Sequence, residues 1–151
     1  MSLKSANDIL KIGSIALVVL AIFGVLANFF TRNEVALVSL QQANLPTTEE
    51  TVNAFLSMYV PVTIGLGIIP IVVCSVFAFL CKRSTDDNNK IMPAFVFSIV
   101  MFILSLFNIP AIGQPIIPVV VKIISVLQIV AYLLCLVSAI TIKKQVGRKI
   151  Q

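Results

Sequence analysis

A chain of 151 residues that is 59% hydrophobic, only 11% charged and has a mean hydropathy of +1.08 lies outside the range of soluble domains. The net charge of +5 does not point to nucleic acid, because the basic residues sit at the ends of apolar runs and not along a face interleaved with aromatics. Histidine is absent and no CxxC pair occurs, which removes the commonest metal ligand, the commonest general base and dithiol redox chemistry.

A hydrocarbon core roughly 30 Å thick needs about 20 apolar residues per helix. Four such runs predict an all-α integral membrane four-helix bundle in a single domain. The first span covers 12–30, between Lys4, Lys11 and Arg32. Val25-Leu26-Ala27 would serve as a signal-peptide cleavage site, but the run is long enough to span and is read as an uncleaved helix.

Residues 31–57 are the one long polar connection, an external loop holding Glu34, Glu49 and Glu50. Within it Pro46-Thr47-Thr48-Glu49-Glu50 reads as a helix start, with Thr47 as cap and Glu50 closing a capping box, so the second helix begins outside the membrane. Its span, 58–81, contains Pro61, Gly65, Gly67 and Pro70, which predict a kink or a loosened turn. The same breaks are found in the interrupted helices of transporters and in helices that merely bend.

The inner loop, 82–90, is polar enough to be a solvated turn. A third span covers 91–109, with Pro93 in its first turn, where a missing amide hydrogen costs little. Pro110, Gly113, Pro115 and Pro118 then make a tight uncharged turn into the fourth span, 118–142, and the chain closes on Lys143, Lys144, Arg148 and Lys149.

Orientation follows from the basic residues near span ends. Lys4, Lys11, Lys82, Arg83, Lys90 and the four closing residues share one side, against Arg32 and Lys122 on the other. The expectation is that both termini are cytoplasmic and that the protein sits in the plasma membrane. No Asn-x-Ser/Thr acceptor marks the opposite side.

Small and polar residues within a span tend to face other helices, since lipid gives no reward for burying leucine elsewhere. Ser14, Leu17, Ala21, Gly24 and Asn28 form such a stripe in the first span, and Thr63, Gly67, Pro70, Cys74 and Ala78 in the second. Ala94, Ser98, Met101, Ser105 and Asn108 follow in the third, and Lys122, Ser125, Gln128, Tyr132, Cys135 and Ala139 in the fourth. Their near-heptad period predicts left-handed packing. No Gly-x-x-x-Gly occurs, so a glycophorin-type dimer seam is not signalled.

Four residues are candidates for ligand binding: Lys122, Gln128, Asn28 and Asn108. Lys122 is a charge inside the apolar limits, read either as an anion site or as a lysine snorkelling to the headgroups. Gln128, near the middle of its span, needs partners inside the protein; it either pairs with Ser98 or Ser105 or lines a polar cavity. Asn28 and Asn108, with Lys122 and Gln114, either form an outer polar cluster under the long loop or simply cap and turn the chain. Cys81, beside Lys82 and Arg83, is either a palmitoyl acceptor or an unmodified boundary cysteine.

The layout, a long first external loop, a short inner loop and a tight second outer turn, is similar in outline to that of claudin-like four-span proteins. Tryptophan and an external cysteine pair are missing, so no function is carried over from that likeness. The four spans contain no Asp, Glu, His or Arg, which argues against catalysis and against proton coupling; no cofactor is expected. What is left is a non-catalytic accessory or partner-binding subunit that meets membrane lipid and either another membrane protein or a second copy of itself. The alternative is a small transporter or channel component, or a lipid- or anion-binding protein using the cluster around Lys122.

Overall fold

The computed structural model describes residues 1–149, except for the side chains of Ala111 and Lys149. The helices are α1 (Leu3–Phe30), α2 (Arg32–Gln42), α3 (Glu49–Asp86), α4 (Ile91–Leu106), α5 (Ile109–Ile112) and α6 (Val119–Lys149), with a 3-10 turn at Asn88–Lys90 before α4. Four of the helical segments are long and apolar enough to cross a membrane. The protein is therefore an all-helical membrane protein with a four-helix bundle.

The helix ends follow local chemistry. Ser2 Oγ accepts the Ser5 amide hydrogen at the start of α1, and Thr48 Oγ1 accepts that of Thr51 at the start of α3. The cap of α3 is thus Thr48 and not Thr47. Its partner three residues on is Thr51, whose hydroxyl lies 2.6 Å from the Thr48 hydroxyl, so Glu50 does not close a capping box. Thr31 ends α1 by turning its hydroxyl back to the Ala27 carbonyl, 2.8 Å away, and α2 begins at the next residue.

The expected external loop 31–57 is therefore largely helical. α2 buries Val35, Ala36 and Leu40 and packs on α3. It ends in a tight reversal: Asn44 is left-handed at φ 54°, with Leu45 N–H on the Leu40 carbonyl at 2.9 Å and Asn44 N–H on that of Gln41 at 3.1 Å. That pair of bonds is the glycine-type helix stop, filled here by asparagine, which tolerates the left-handed region.

At 1.5 Å per residue, the 38 residues of α3 are about 57 Å long, far more than a hydrocarbon core requires. α3 stays helical through Pro61 and Pro70 and carries on past Lys82 and Arg83 to Asp86. The second span is accordingly continuous, and the inner loop shrinks to Asp87 and the 3-10 turn. α4 is the opposite case, since its 16 residues give about 24 Å. It stops at Leu106, short of the expected 109, and the apolar α5 segment follows.

α1 packs chiefly on α3 and α6; α4 packs chiefly on α6 and more thinly on α3. The buried residues keep heptad spacing: Ile91, Ala94, Ser98 and Ser105 on α4, Tyr132, Cys135, Ala139 and Ile142 on α6. On α3 the buried set is Cys74, Phe77, Cys81 and Ser84. The predicted α3 stripe meets the core only at Cys74, because its four-residue steps past Pro70 drift round the helix, and Pro70 itself is exposed. Phe77 is the largest fully buried side chain; its ring stacks on Phe97 with centroids 5.4 Å apart and tilts against Tyr132 at 6.4 Å.

The start of α1, the turn after α3 and the last turns of α6 meet at one end of the bundle. Gln145 Nε2 donates to the Met1 carbonyl at 3.3 Å, and Lys143 Nζ lies 4.1 Å from the Phe95 ring centroid. Asp87 and Lys90 pair at 3.0 Å within the turn. This is the basic end; Lys149, counted with it from sequence, has its side chain outside the described residues.

Candidate functional site

Where α4 sits thinly on α3, a groove of about 280 Å³ opens between α3, α4 and α6. α3 contributes Ile69, Pro70, Val73 and Cys74; α4 contributes Met101, Leu104, Ser105 and Asn108; α6 contributes Ser125, Gln128, Ile129 and Tyr132. Its mouth faces the surroundings of the bundle, with Ile69 57% and Leu104 53% exposed, whereas Cys74, Ser105 and Tyr132 on its floor are buried. Gln128 lies nine residues from the start of α6 and fourteen from Ile142, which places the groove in the half of the span remote from the basic end.

The floor is polar but carries no charge. The Tyr132 hydroxyl lies 3.2 Å from Cys74 Sγ. Ser105 Oγ donates to the Phe102 carbonyl at 2.7 Å and Ser125 Oγ to that of Val121 at 2.9 Å. Those two hydroxyl protons are committed to the helices that carry them, while their oxygens keep free lone pairs. Ser98 likewise turns to Ala94. The expected pairing of Gln128 with Ser98 or Ser105 is therefore not formed, and among the described residues the Gln128 amide has no hydrogen-bond partner.

Comparison with known protein families, with curated proteins and with solved structures finds no match.

Of the four candidate residues, the fold brings Asn108 and Gln128 together in this groove. Lys122 does not line it. It stands nearer the start of α6, one turn before Ser125 and two turns before Ile129, outside the stretch that lines the groove. Asn28 lies on another side of the bundle, between α1 and α3, beside Tyr59 and Thr63 in a shallow depression. Its Nδ2 donates to the Gly24 carbonyl at 2.9 Å, in the manner of a residue near a helix end. Gln114 is exposed in the turn. The outer polar cluster of Asn28, Asn108, Gln114 and Lys122 thus divides among separate places.

Sequence reasoning passed over Cys74, Ser125 and Tyr132 as site residues. All three stand in the predicted stripes, and the missing signal was which parts of the stripes face each other. Cys81 is fully buried in the core beside Ser14 and Cys135, so its sulfur is not presented to an acyl donor at the membrane surface.

A second feature is the α2–α3 hairpin. Val35, Ala36 and Leu40 are already buried within the fold, so the apolar surface it presents outward is Leu37, 41% exposed, and Leu45, 52% exposed. The exposed acidic residues Glu34, Glu49 and Glu50 lie on the same hairpin.

Proposed function

We propose that this chain is a non-catalytic plasma-membrane protein, with both termini in the cytoplasm, that acts as a partner-binding accessory subunit. The observation carrying this reading is the α2–α3 hairpin, an ordered and acidic two-helix projection at the end remote from the basic one. α3 is far longer than its span needs, and the excess at its beginning serves as the platform on which α2 is seated. A protein that only crossed the membrane would need no such platform.

The orientation rests on charge. Nine of the eleven basic residues fall at the end where α1 begins and α6 finishes, and basic excess marks the cytoplasmic face. The hairpin then stands outside, where exposed Leu37 and Leu45 rimmed by carboxylates suit a partner with an apolar centre and a basic edge.

The test is purification in mild detergent from the native membrane, with mass spectrometry of whatever stays bound. A stoichiometric protein is expected with the native chain and is expected to be lost from a Leu37→Asp, Leu45→Asp variant that still elutes as a folded species. Substituting Val35 or Leu40 would not test the idea, because those side chains hold the hairpin together. Recovery of the chain alone, with solute flux after reconstitution into liposomes, would replace this reading with that of a small transporter.

A further inference from the structure

We propose that the groove between α3, α4 and α6 binds an uncharged membrane lipid whose head carries a free hydroxyl, of the diacylglycerol kind, entering sideways from the leaflet remote from the basic end. This site depends on neither the hairpin nor any protein partner.

The direction of entry follows from exposure. The mouth is made of Ile69 and Leu104, both more than half exposed, and the floor of buried Ser105 and Tyr132. A ligand arriving through that mouth comes from hydrocarbon, and its tail can stay there. The head must then suit the floor, where every hydrogen-bonding group left unpaired is costly because water is scarce.

The chemistry of the head follows from the proton inventory. Ser105 and Ser125 have committed their hydrogens to the Phe102 and Val121 carbonyls and offer only oxygen lone pairs. The Gln128 amide offers two N–H donors and one carbonyl acceptor, and the amide of Asn108, on the exposed rim, offers the same set. A group that donates to a serine oxygen or to the Gln128 carbonyl while accepting from the Gln128 amide satisfies this set, and a hydroxyl does both. A phosphate does not, since it would bring its charge to a floor holding no cation; Lys122 does not line the groove. A free carboxylate is excluded on the same ground.

The test uses the full chain in nanodiscs containing a photoreactive diacylglycerol, with a diazirine in the acyl chain and an alkyne for recovery, followed by peptide mapping. Adducts are expected to concentrate on residues 69–74 and 101–108. Gln128→Leu is expected to reduce them about three- to tenfold, the range of one uncharged hydrogen bond. Leu104→Trp, which blocks the mouth without touching the core, is expected to reduce them similarly and decides the matter if the first variant does not fold. The counterpart bearing a phosphate on the same acyl chains should show no concentration there. Even labelling round the bundle, labelling unchanged by Leu104→Trp, or equal labelling by the phosphate-bearing lipid would overturn the proposal. So would a photoreactive residue at position 104 that captures a second copy of the chain or another protein in place of lipid.

Discussion

Gly13 of α1 and Cys135 of α6 meet so closely that a β-carbon on the glycine would stand 2.8 Å from the cysteine Sγ. The contact lies on the most extensive helix pair of the bundle. In lipid, where packing and not the exclusion of water holds helices together, such an approach is a main source of cohesion. Gly13→Ala is expected to destabilise by about 1–3 kcal/mol. Adding Cys135→Ala should restore most of that loss, because the atom that clashes is gone. Thermal unfolding of the single and double variants in detergent gives the coupling directly, and simple additivity would show that the two helices part without strain.

Phe77 and Tyr132 touch, yet their substitution should have unequal effects. Phe77→Ala removes a fully buried ring stacked on Phe97 and should cost about 3 kcal/mol or more. Tyr132→Phe removes only a hydroxyl whose partner is the Cys74 sulfur, and inter-helix polar contacts in membranes average near 0.6 kcal/mol. Unfolding titrations of the two variants should separate them clearly; similar losses would mean that the hydroxyl anchors more than its one partner.

The α2–α3 reversal depends on a left-handed residue. Asn44→Gly should leave hairpin stability within about 0.5 kcal/mol or raise it, whereas Asn44→Val should cost about 1–2 kcal/mol. Protease sensitivity of residues 31–48 in nanodiscs reports on this region alone, and equal sensitivity of both variants would count against the geometry.

The proposed topology predicts where new thiols react. The native cysteines, Cys74, Cys81 and Cys135, are all buried and give little background with an impermeant maleimide. Leu45→Cys should label in intact cells, and Gly147→Cys only after lysis. The reverse pattern would place both termini outside.

Lys122→Met should change stability by no more than about 0.5 kcal/mol and leave lipid labelling of the groove as it was, since the lysine does not line it. Loss of labelling would return Lys122 to the site.

The number of spans and the packing faces of α1, α4 and α6 were legible in the sequence because they depend on features a single chain displays: apolar run length, and small residues at heptad steps. Ser14, Ser98 and Cys135 were placed on the buried side by that pattern and lie there. The α2 helix was missed because Arg32–Gln42 has little net apolarity, and only its contact with α3 makes the pairing of Val35, Ala36 and Leu40 visible. α3 remains helical through Pro61 and Pro70 because each proline removes one hydrogen bond at local cost, while the rest of a long helix keeps its bonds. The candidate site was half legible: Asn108 and Gln128 emerged as polar residues at membrane depth. Which of the four helices they face together is set by rotation about each axis, which a single sequence does not display.

The brevity of α4 bears on the bilayer itself. α4 rises about 24 Å and the 3-10 turn that runs into it adds about 6 Å, so this flank only just reaches an ordinary hydrocarbon thickness, whereas α3 far exceeds it. In a thicker bilayer, lipid along that flank must thin, or the exposed apolar residues Phe107 and Ile109 that follow α4 must make up the difference, at a fraction of a kcal/mol per Å of mismatch. The same deformation falls on only one side of the molecule. It gives the chain a graded preference against thicker membranes.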